Sequence, residues 1–344
     1  MTDLITWKAS LPTPRHEDWK YTSLASLKQA DVKPVVVAPV IAARGATVET
    51  RTGDVPAIDD VVVQVDEHVH VLVHEGADAV VTIAHATPAG ALTGANVHVH
   101  VPANCKLHLV ERFAGNDVFV HVPATTLTIG AGAKVRYVRV VEDAPKGFHL
   151  GTVAADLAPD ATLALASVVL GGRISRTRID VKLAKGSTIE MDGLSLAGKD
   201  ALVDHHTFVD HAEPNATTRE RFRAAVDSGG RAVFTGKVIV RKGAVKTDAA
   251  QHTKTLLLAD DAIANARPQL EILADDVKCS HGAAVGRLDE EALFYLRTRG
   301  IGPDDARRLL TKAFASESLA TIDDGPLRAS LDVLVDRWLA GLSS

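Results

Sequence analysis

The sequence predicts a mainly β protein built as a β-helix solenoid, with an N-terminal helical or irregular segment and a C-terminal helical module. Three observations predict it. Aromatic residues make up only 4% of a chain that is 46% hydrophobic, so Val and Ala carry the apolar load, and Val favours strands. A turn residue followed by Ala, Cys or Ser recurs at intervals near 28 residues through the middle of the chain. No long helical pattern interrupts that repeat before Leu288, which argues against alternating βαβ units. The predicted organisation is residues 1–45 as the N-terminal segment, 46–287 as the β-helix and 288–344 as the helical module.

The N-terminal segment is polar and carries Trp7, Trp19 and Tyr21. The repeat follows at Gly76-Ala77, Asn104-Cys105, Gly132-Ala133, Asp160-Ala161, Gly186-Ser187, Asn215-Ala216 and Gly243-Ala244. Alternating apolar pairs come after five of them: Leu107/Leu109, Val135/Tyr137, Leu163/Leu165, Ile189/Met191 and, displaced, Val80/Ile83. The copies at Asn215 and Gly243 are weaker. Alternation after a turn residue marks a half-buried strand. Its regular recurrence marks stacked units that bury one another's faces. The spacing leaves open whether each repeat is one long coil or two short ones, and a β-sandwich with coincidental turn spacing is the competing reading.

From Leu288 the period becomes helical. Asp289 is a candidate N-cap before Glu290 and Glu291, and Gly300 is a stop after Arg297 and Arg299. Pro303 opens a second helix with Asp304 and Asp305 in its first turn. Its predicted apolar face is Ala306, Leu309, Leu310, Ala313 and Phe314. A third helix after Pro326 carries Leu327, Leu331, Leu334, Val335, Trp338 and Leu339.

The formal charge of −5 and the lack of a long basic run argue against nucleic-acid binding. Cys105 and Cys279 lie too far apart in sequence for a CxxC site and form no disulfide framework. The first twenty residues include Asp3, Glu17 and Asp18 without an apolar segment, so no signal peptide is expected. The stretch Val35 to Ala43 is too short to span a bilayer. A soluble cytoplasmic protein that engages no membrane is the expectation.

Four motifs invite chemistry. His68-Val69-His70, with His74 and Glu75 behind, resembles the first metal motif of cupins, since imidazoles and a carboxylate suit Zn, Fe or Mn. Thr82 stands where that motif needs Gly and Thr93 where the second motif needs His. A solvated strand face is the plainer reading, and a cupin-like metalloenzyme using His68, His70 and Glu75 is the alternative. His205, His206 and His211, with Asp204 and Asp210, read as another solvated strand surface. Gly230 to Val238 resembles a phosphate loop but has five residues between its glycines and Val238 in place of the Mg-binding hydroxyl. No ATP binding is expected of it. Cys279-Ser280-His281-Gly282 is the sharper candidate. Cys279 and His281 share a strand face roughly 7 Å apart, and thiolate and imidazole both ligate iron or an iron–sulfur cluster. Lys278 is expected to favour the thiolate. Two ligands cannot complete a site, so any metal here needs ligands from another chain. A buried cysteine beside a turn histidine is the structural alternative.

Three segments resemble the SufD branch of the SufB/SufD family. They are Leu11-Pro-Thr-Pro-Arg-His-Glu-Asp-Trp-Lys-Tyr-Thr-Ser-Leu24, then Leu256 to Asp261 with Arg267 to Ile272 and Ala274 to Gly282, and then Leu288 to Ile301. Residues 35 to 240 match only in general character. SufB is distinguished by a glutamate-rich stretch where this chain has Cys-Ser-His-Gly, and by a cysteine near His252-Thr253-Lys254.

The resemblance implies a right-handed parallel β-helix and a non-catalytic scaffold role in SUF iron–sulfur cluster assembly. It implies pairing with SufB through the β-helix and docking of the SufC ATPase on the C-terminal helices. Cys279 and His281 match positions held to face a cluster site at the SufB–SufD interface. A transient Fe–S cluster is then expected in the complex, with no cofactor held stably by the isolated chain, which could form a homodimer. The SufC surface is expected between Leu288 and Ile322, using Leu288, Phe294, Leu296, Leu309, Leu310 and Phe314. Removing the chain from Leu288 onward is expected to leave the β-helix folded.

Overall fold

The computed structural model describes residues 11–51 and 68–342; Trp7 lies outside the described residues. Within them the chain winds into a parallel β-solenoid of about 8 turns. Each turn is one coil with two strands, one in each of two facing sheets. This settles the coil count that the spacing left open. From Phe148 to Ile272 every strand is ten residues long. In-register pairing holds along the stack, as in Lys106↔Lys134 and Lys134↔Thr162. Two antiparallel strands, Val40–Arg44 and Ala46–Arg51, end the stack on the N-terminal side.

The recurring turn residue has a physical cause. Gly76, Asn104, Gly132, Asp160, Gly186, Asn215 and Gly243 all have positive φ, between 59° and 89°. Gly, Asn and Asp tolerate the left-handed region best. From Asn104 to Asn215 the amide of each turn residue donates to the carbonyl just before the turn residue of the next coil, as in Asn104 N to Ala131 O (2.9 Å) and Gly186 N to Pro214 O (3.1 Å), while Gly76 N donates to Cys105 Sγ (3.2 Å). By that ladder the partner of Asn215 is Val245 O, so the in-register turn residue of the next coil is Lys246, at φ 58°. The copy at Gly243 stands ahead of it in an enlarged corner, and the strand starts only at Asp248. Asp276, at φ 52°, marks one further copy.

Leu107, Leu109, Val135, Tyr137, Leu163, Leu165, Ile189 and Met191 all face inward and are buried. The outer faces are covered as well. Leu11, Trp19, Leu24, Leu27 and Val32 of the N-terminal segment pack on Leu92, Val120, Val122, Phe148 and Ile174 of the first sheet. Three helices close the chain: α1 (Glu290–Thr298), α2 (Pro303–Leu319) and α3 (Gly325–Ala340). The Asp289 carboxylate caps α1 by accepting from Glu291 N at 2.9 Å. Helices α2 and α3 cover Val138, Val140, Val168, Leu194 and Leu196 on the outer face of the second sheet. They are therefore integral to the body, and a chain cut at Leu288 would expose that face, contrary to the sequence expectation. The buried face of α2 also differs from the predicted one. Ala306, Thr311, Ala315, Ser318 and Leu319 turn inward, because small side chains let the helix lie close on the sheet. No helix among the described residues is long and apolar enough to cross a membrane.

The interior between the sheets is partly polar. Glu111 is fully buried and accepts from Thr125 Oγ1 (2.8 Å) and the Tyr137 hydroxyl, with His85 Nε2 at 2.9 Å. Burial raises its pKa, but the hydrogen bond and charge of His85, then Tyr137 and Arg139, hold it below the usual value. Arg139 reaches Thr177 Oγ1 (3.1 Å) and the His149 ring (2.5 Å) and lies over Phe113. Glu220 is different. It takes hydrogen bonds from Thr207 Oγ1 (2.8 Å) and Gln251 Nε2 (3.1 Å) and has no cationic partner among the described residues. Burial pushes its carboxyl up to about 7.

Two measurements check this interior. A Cβ on Gly193 would stand 2.0 Å from the Phe222 ring, which itself lies between the tilted rings of His205 and Phe234. Gly193→Ala should cost roughly 1–3 kcal/mol in urea unfolding, and Phe222→Leu in the same chain should recover part of it; an unchanged midpoint would refute the packing. Glu220 should make stability fall as pH rises. Its folded pKa is about 7, above the ordinary ~4.3, so the folded state holds the proton more tightly and stability is lost between those values. Glu220→Gln should gain on the parent across that window, by about 3–4 kcal/mol at pH 8. Parallel stability–pH curves for the two chains would exclude it.

Candidate functional site

The strands Ile263–Ile272 and Lys278–Gly286 are the last of their sheets, each with a neighbour on one side only. No residue of either is fully buried. Ile263, Ile272, Leu273 and Val285 stand exposed there. Cys279 and His281 lie at this open end, paired with Ala249 and Gln251 of the preceding coil.

Alternation along the strand gives the two side chains the same face, the one that looks into the solenoid in earlier coils. Cys279 is half-buried and packs on the edge of the main core. Burial pushes its thiol up, opposed by a hydrogen bond from the Ala249 backbone and reinforced by the Asp248 charge. The expectation that Lys278 lowers the thiol is therefore corrected. Lys278 stands on the opposite face of the strand, in register with Asp248, whose carboxylate its charge helps to stabilise. His281 is exposed because no further coil covers it. Beside it, Gly282 lies against the His252 ring, where a Cβ on the glycine would stand 3.3 Å from Nδ1.

The other histidines sort differently. His68 and His70 are half-buried on the outer face of the first sheet, stacked with His98 at ring-centre distances of 5.6 and 5.0 Å. Burial, then the charges of His70 and His68, lowers the His98 pKa. Glu75 sits in the exposed turn beyond the strand, and His74 pairs with Thr47 Oγ1 at 2.9 Å. Among the described residues no three His, Cys, Asp or Glu side chains are grouped to hold a metal ion, and the fold is a solenoid rather than the barrel a cupin requires.

Asp204, His205, His206 and His211 are buried rather than solvated, which overturns the surface reading. His205 and His211 face inward, bonded to Ser167 and Ser195 and to Thr218 respectively. Asp204 and His206 face outward but are covered. Asp204 accepts from Thr22 Oγ1 and Arg176, and Arg176 stacks on Trp19. Gly230 to Val238 is turn and strand, with Lys237 paired to Glu271 at 2.8 Å.

Sequence reasoning does not single out Glu220 and Gln251. The signal is present: both occupy inward positions of the alternation in coils where the apolar pattern weakens. On the helical module, α1 has no buried residue, and Phe294, Tyr295 and Leu309 are each about half exposed or more. Leu288, Leu296, Leu310 and Phe314 are half-buried.

Comparison with known proteins places this architecture. The family model described as SUF system FeS cluster assembly, SufBD core domain, matches residues 85–314. The chain is similar to the iron–sulfur cluster assembly protein SufD of Escherichia coli (strain K12), 32% identical over 71% of this chain and 58% of that protein. A SufBD family protein of Synechocystis is 35% identical over 59% of this chain and 45% of its own length. Protein ABCI7, chloroplastic, of Arabidopsis thaliana is 31% identical over 67% and 50%. The chain thus spans about half the length of these relatives. With the core-domain match running through most of the solenoid and into α2, the chain belongs to the SufBD family of the SUF iron–sulfur cluster assembly system.

Proposed function

We propose that the chain is a non-catalytic scaffold subunit of a cytoplasmic SUF assembly complex, pairing with SufB through its open end and docking SufC on its helices. The observation that carries this reading is the uncovered last coil. Its two edge strands offer unpaired backbone groups, a template for another chain's strands. Exposed Ile263, Ile272, Leu273 and Val285 add an apolar margin beside them. A second solenoid of like width suits this surface better than a small ligand does, and a second copy of the chain would fit in the absence of SufB.

Cys279 and His281 stand at that margin, one thiol and one imidazole, a donor pair suited to iron or a nascent cluster. The cluster is cargo, with the remaining ligands supplied from the SufB side. The raised thiol makes the imidazole the readier ligand, since it binds metal in its neutral form. SufC docking is favoured by α1, which has no fully buried residue and leaves Phe294 and Tyr295 exposed, as α2 leaves Leu309.

His281→Ala should leave folding and assembly with SufB and SufC intact, because the side chain is exposed, yet reduce the cluster content of the reconstituted complex. Cys279→Ala should reduce it less. Wild-type cluster content in the His281 variant would remove the residue from the site. Phe294→Asp with Leu309→Asp should weaken SufC binding at least tenfold, a loss of about 1.4 kcal/mol or more, with an unchanged thermal midpoint. Unaltered affinity in the folded double variant would refute the docking surface.

A further inference from the structure

The inward columns of the second sheet lead from the core to the open end. One column runs Met191, Glu220, Gln251, His281, each in register with the next. Glu220 and Gln251 have no solvent exposure. The Thr207 hydroxyl and the Gln251 amide nitrogen both donate to Glu220 Oε2. That contact sets the direction of the Gln251 amide. With Glu220 ionised, as at pH 8.5, or with its proton on the other oxygen, Oε2 accepts, so the nitrogen faces Glu220 and the carbonyl oxygen is turned away. Gly236, on the facing sheet, makes room for it: a Cβ there would stand 2.3 Å from Gln251 Nε2. The Gln251 carbonyl, Oε1, is buried and has no hydrogen-bond partner among the described residues. A buried acceptor left unpaired costs about 1–3 kcal/mol. The next side chain in its column is His281, whose imidazole carries an N–H in either neutral tautomer.

We infer that Gln251 is a positioning residue for His281: its carbonyl, oriented by Glu220 and unpaired among the described residues, is the acceptor that a turn of the exposed imidazole brings to the ring N–H, leaving the other ring nitrogen free to bind iron. This rests on the reading of His281 as a cluster ligand. The chemistry is the one by which ligating histidines elsewhere are held, a second hydrogen bond that fixes ring orientation and tautomer. The chain Thr207–Glu220–Gln251 thus reaches from the closed interior to the only exposed member of the column. Cys279 gains nothing from it, because its own column partner is Ala249.

The test reads the ring before it reads the cluster. In the full chain labelled with ¹⁵N-histidine, spectra at pH 8.5 report the tautomer of each imidazole, and His281→Ala identifies the signal of this one. One dominant tautomer with a ring N–H protected from exchange is expected for His281, although its side chain is exposed. A ring averaging between tautomers in the unaltered chain would overturn the inference, and this measurement needs no variant to fold. Gln251→Met should abolish the preference and the protection, whereas Gln251→Glu, which keeps an acceptor, should retain them. In the reconstituted complex Gln251→Met should lower cluster content on the order of tenfold, and Gln251→Glu should restore most of it. An unchanged tautomer, or an altered tautomer with unchanged cluster content while His281→Ala is defective, would each refute the positioning role. If His281→Ala itself forms clusters normally, the ligand reading fails, and with it the functional half of this inference, while the tautomer data still decide the hydrogen bond.

Discussion

The structure depends on one constraint, the parallel registry of coils. Each inward residue lies directly over its counterpart in the next coil, at the strand spacing of about 4.8 Å. Side chains must therefore be compatible with the ones above and below as well as with the facing sheet. The left-handed turn residues enforce this. Asn104, Gly132, Asp160, Gly186 and Asn215 each donate from the same corner to the following coil, so a slip of one residue would break both the corner ladder and the inside–outside alternation. Lys246 shows how strongly the constraint acts. It adopts φ 58° without the freedom of glycine or the short polar side chain of asparagine, because the extra residues at Gly243 to Val245 have to be absorbed before Asp248 can restore registry.

Registry also explains how so many polar groups can be buried. A coil has room between its sheets for side chains from both, and polar ones there must find each other. Glu111 does so across coils and sheets, meeting His85 from the preceding coil, Tyr137 from the next, and Thr125 opposite. Its charge is held by neighbours of complementary character. Glu220 has only a hydroxyl and an amide, and its carboxyl rises instead. The two glutamates occupy similar interiors with opposite protonation behaviour, and the difference lies in which cation or donor the adjacent columns supply.

Much of this is legible in the sequence. The turn residues, the inward Leu, Val, Ile and Tyr pairs, and the bounds of α1 and α2 follow from local rules: positive φ, alternation, capping by Asp289 and initiation at Pro303. The failures share a cause, contacts that local pattern does not contain. Asp204 and His206 look like a wet strand face until residues 19–22, far away in sequence, cover them. The buried face of α2 is misjudged because Leu309 and Phe314 outrank Ala315 and Ser318 in hydrophobicity, while close approach to a sheet favours the small residues. The thiol of Cys279 is misjudged because parity puts Lys278 on the other side of the strand.

The weak copies of the repeat carry a further meaning. Alternation fades after Asn215 and Gly243 because Thr218 and Glu220, and then Gln251, occupy inward positions that Leu, Ile and Met fill earlier. In the column Val81, Leu109, Tyr137, Leu165, Met191, Glu220, Gln251, His281, the apolar pattern gives way as the open end nears. Such a departure lowers the foldability of those coils taken alone. It is tolerated because the preceding coils template them and α2 braces the second sheet from outside through Ala315, Leu319 and their partners. A solenoid can thus concentrate stability in its middle and keep its last coil half-covered and unfinished, which is the condition for a surface that another chain completes.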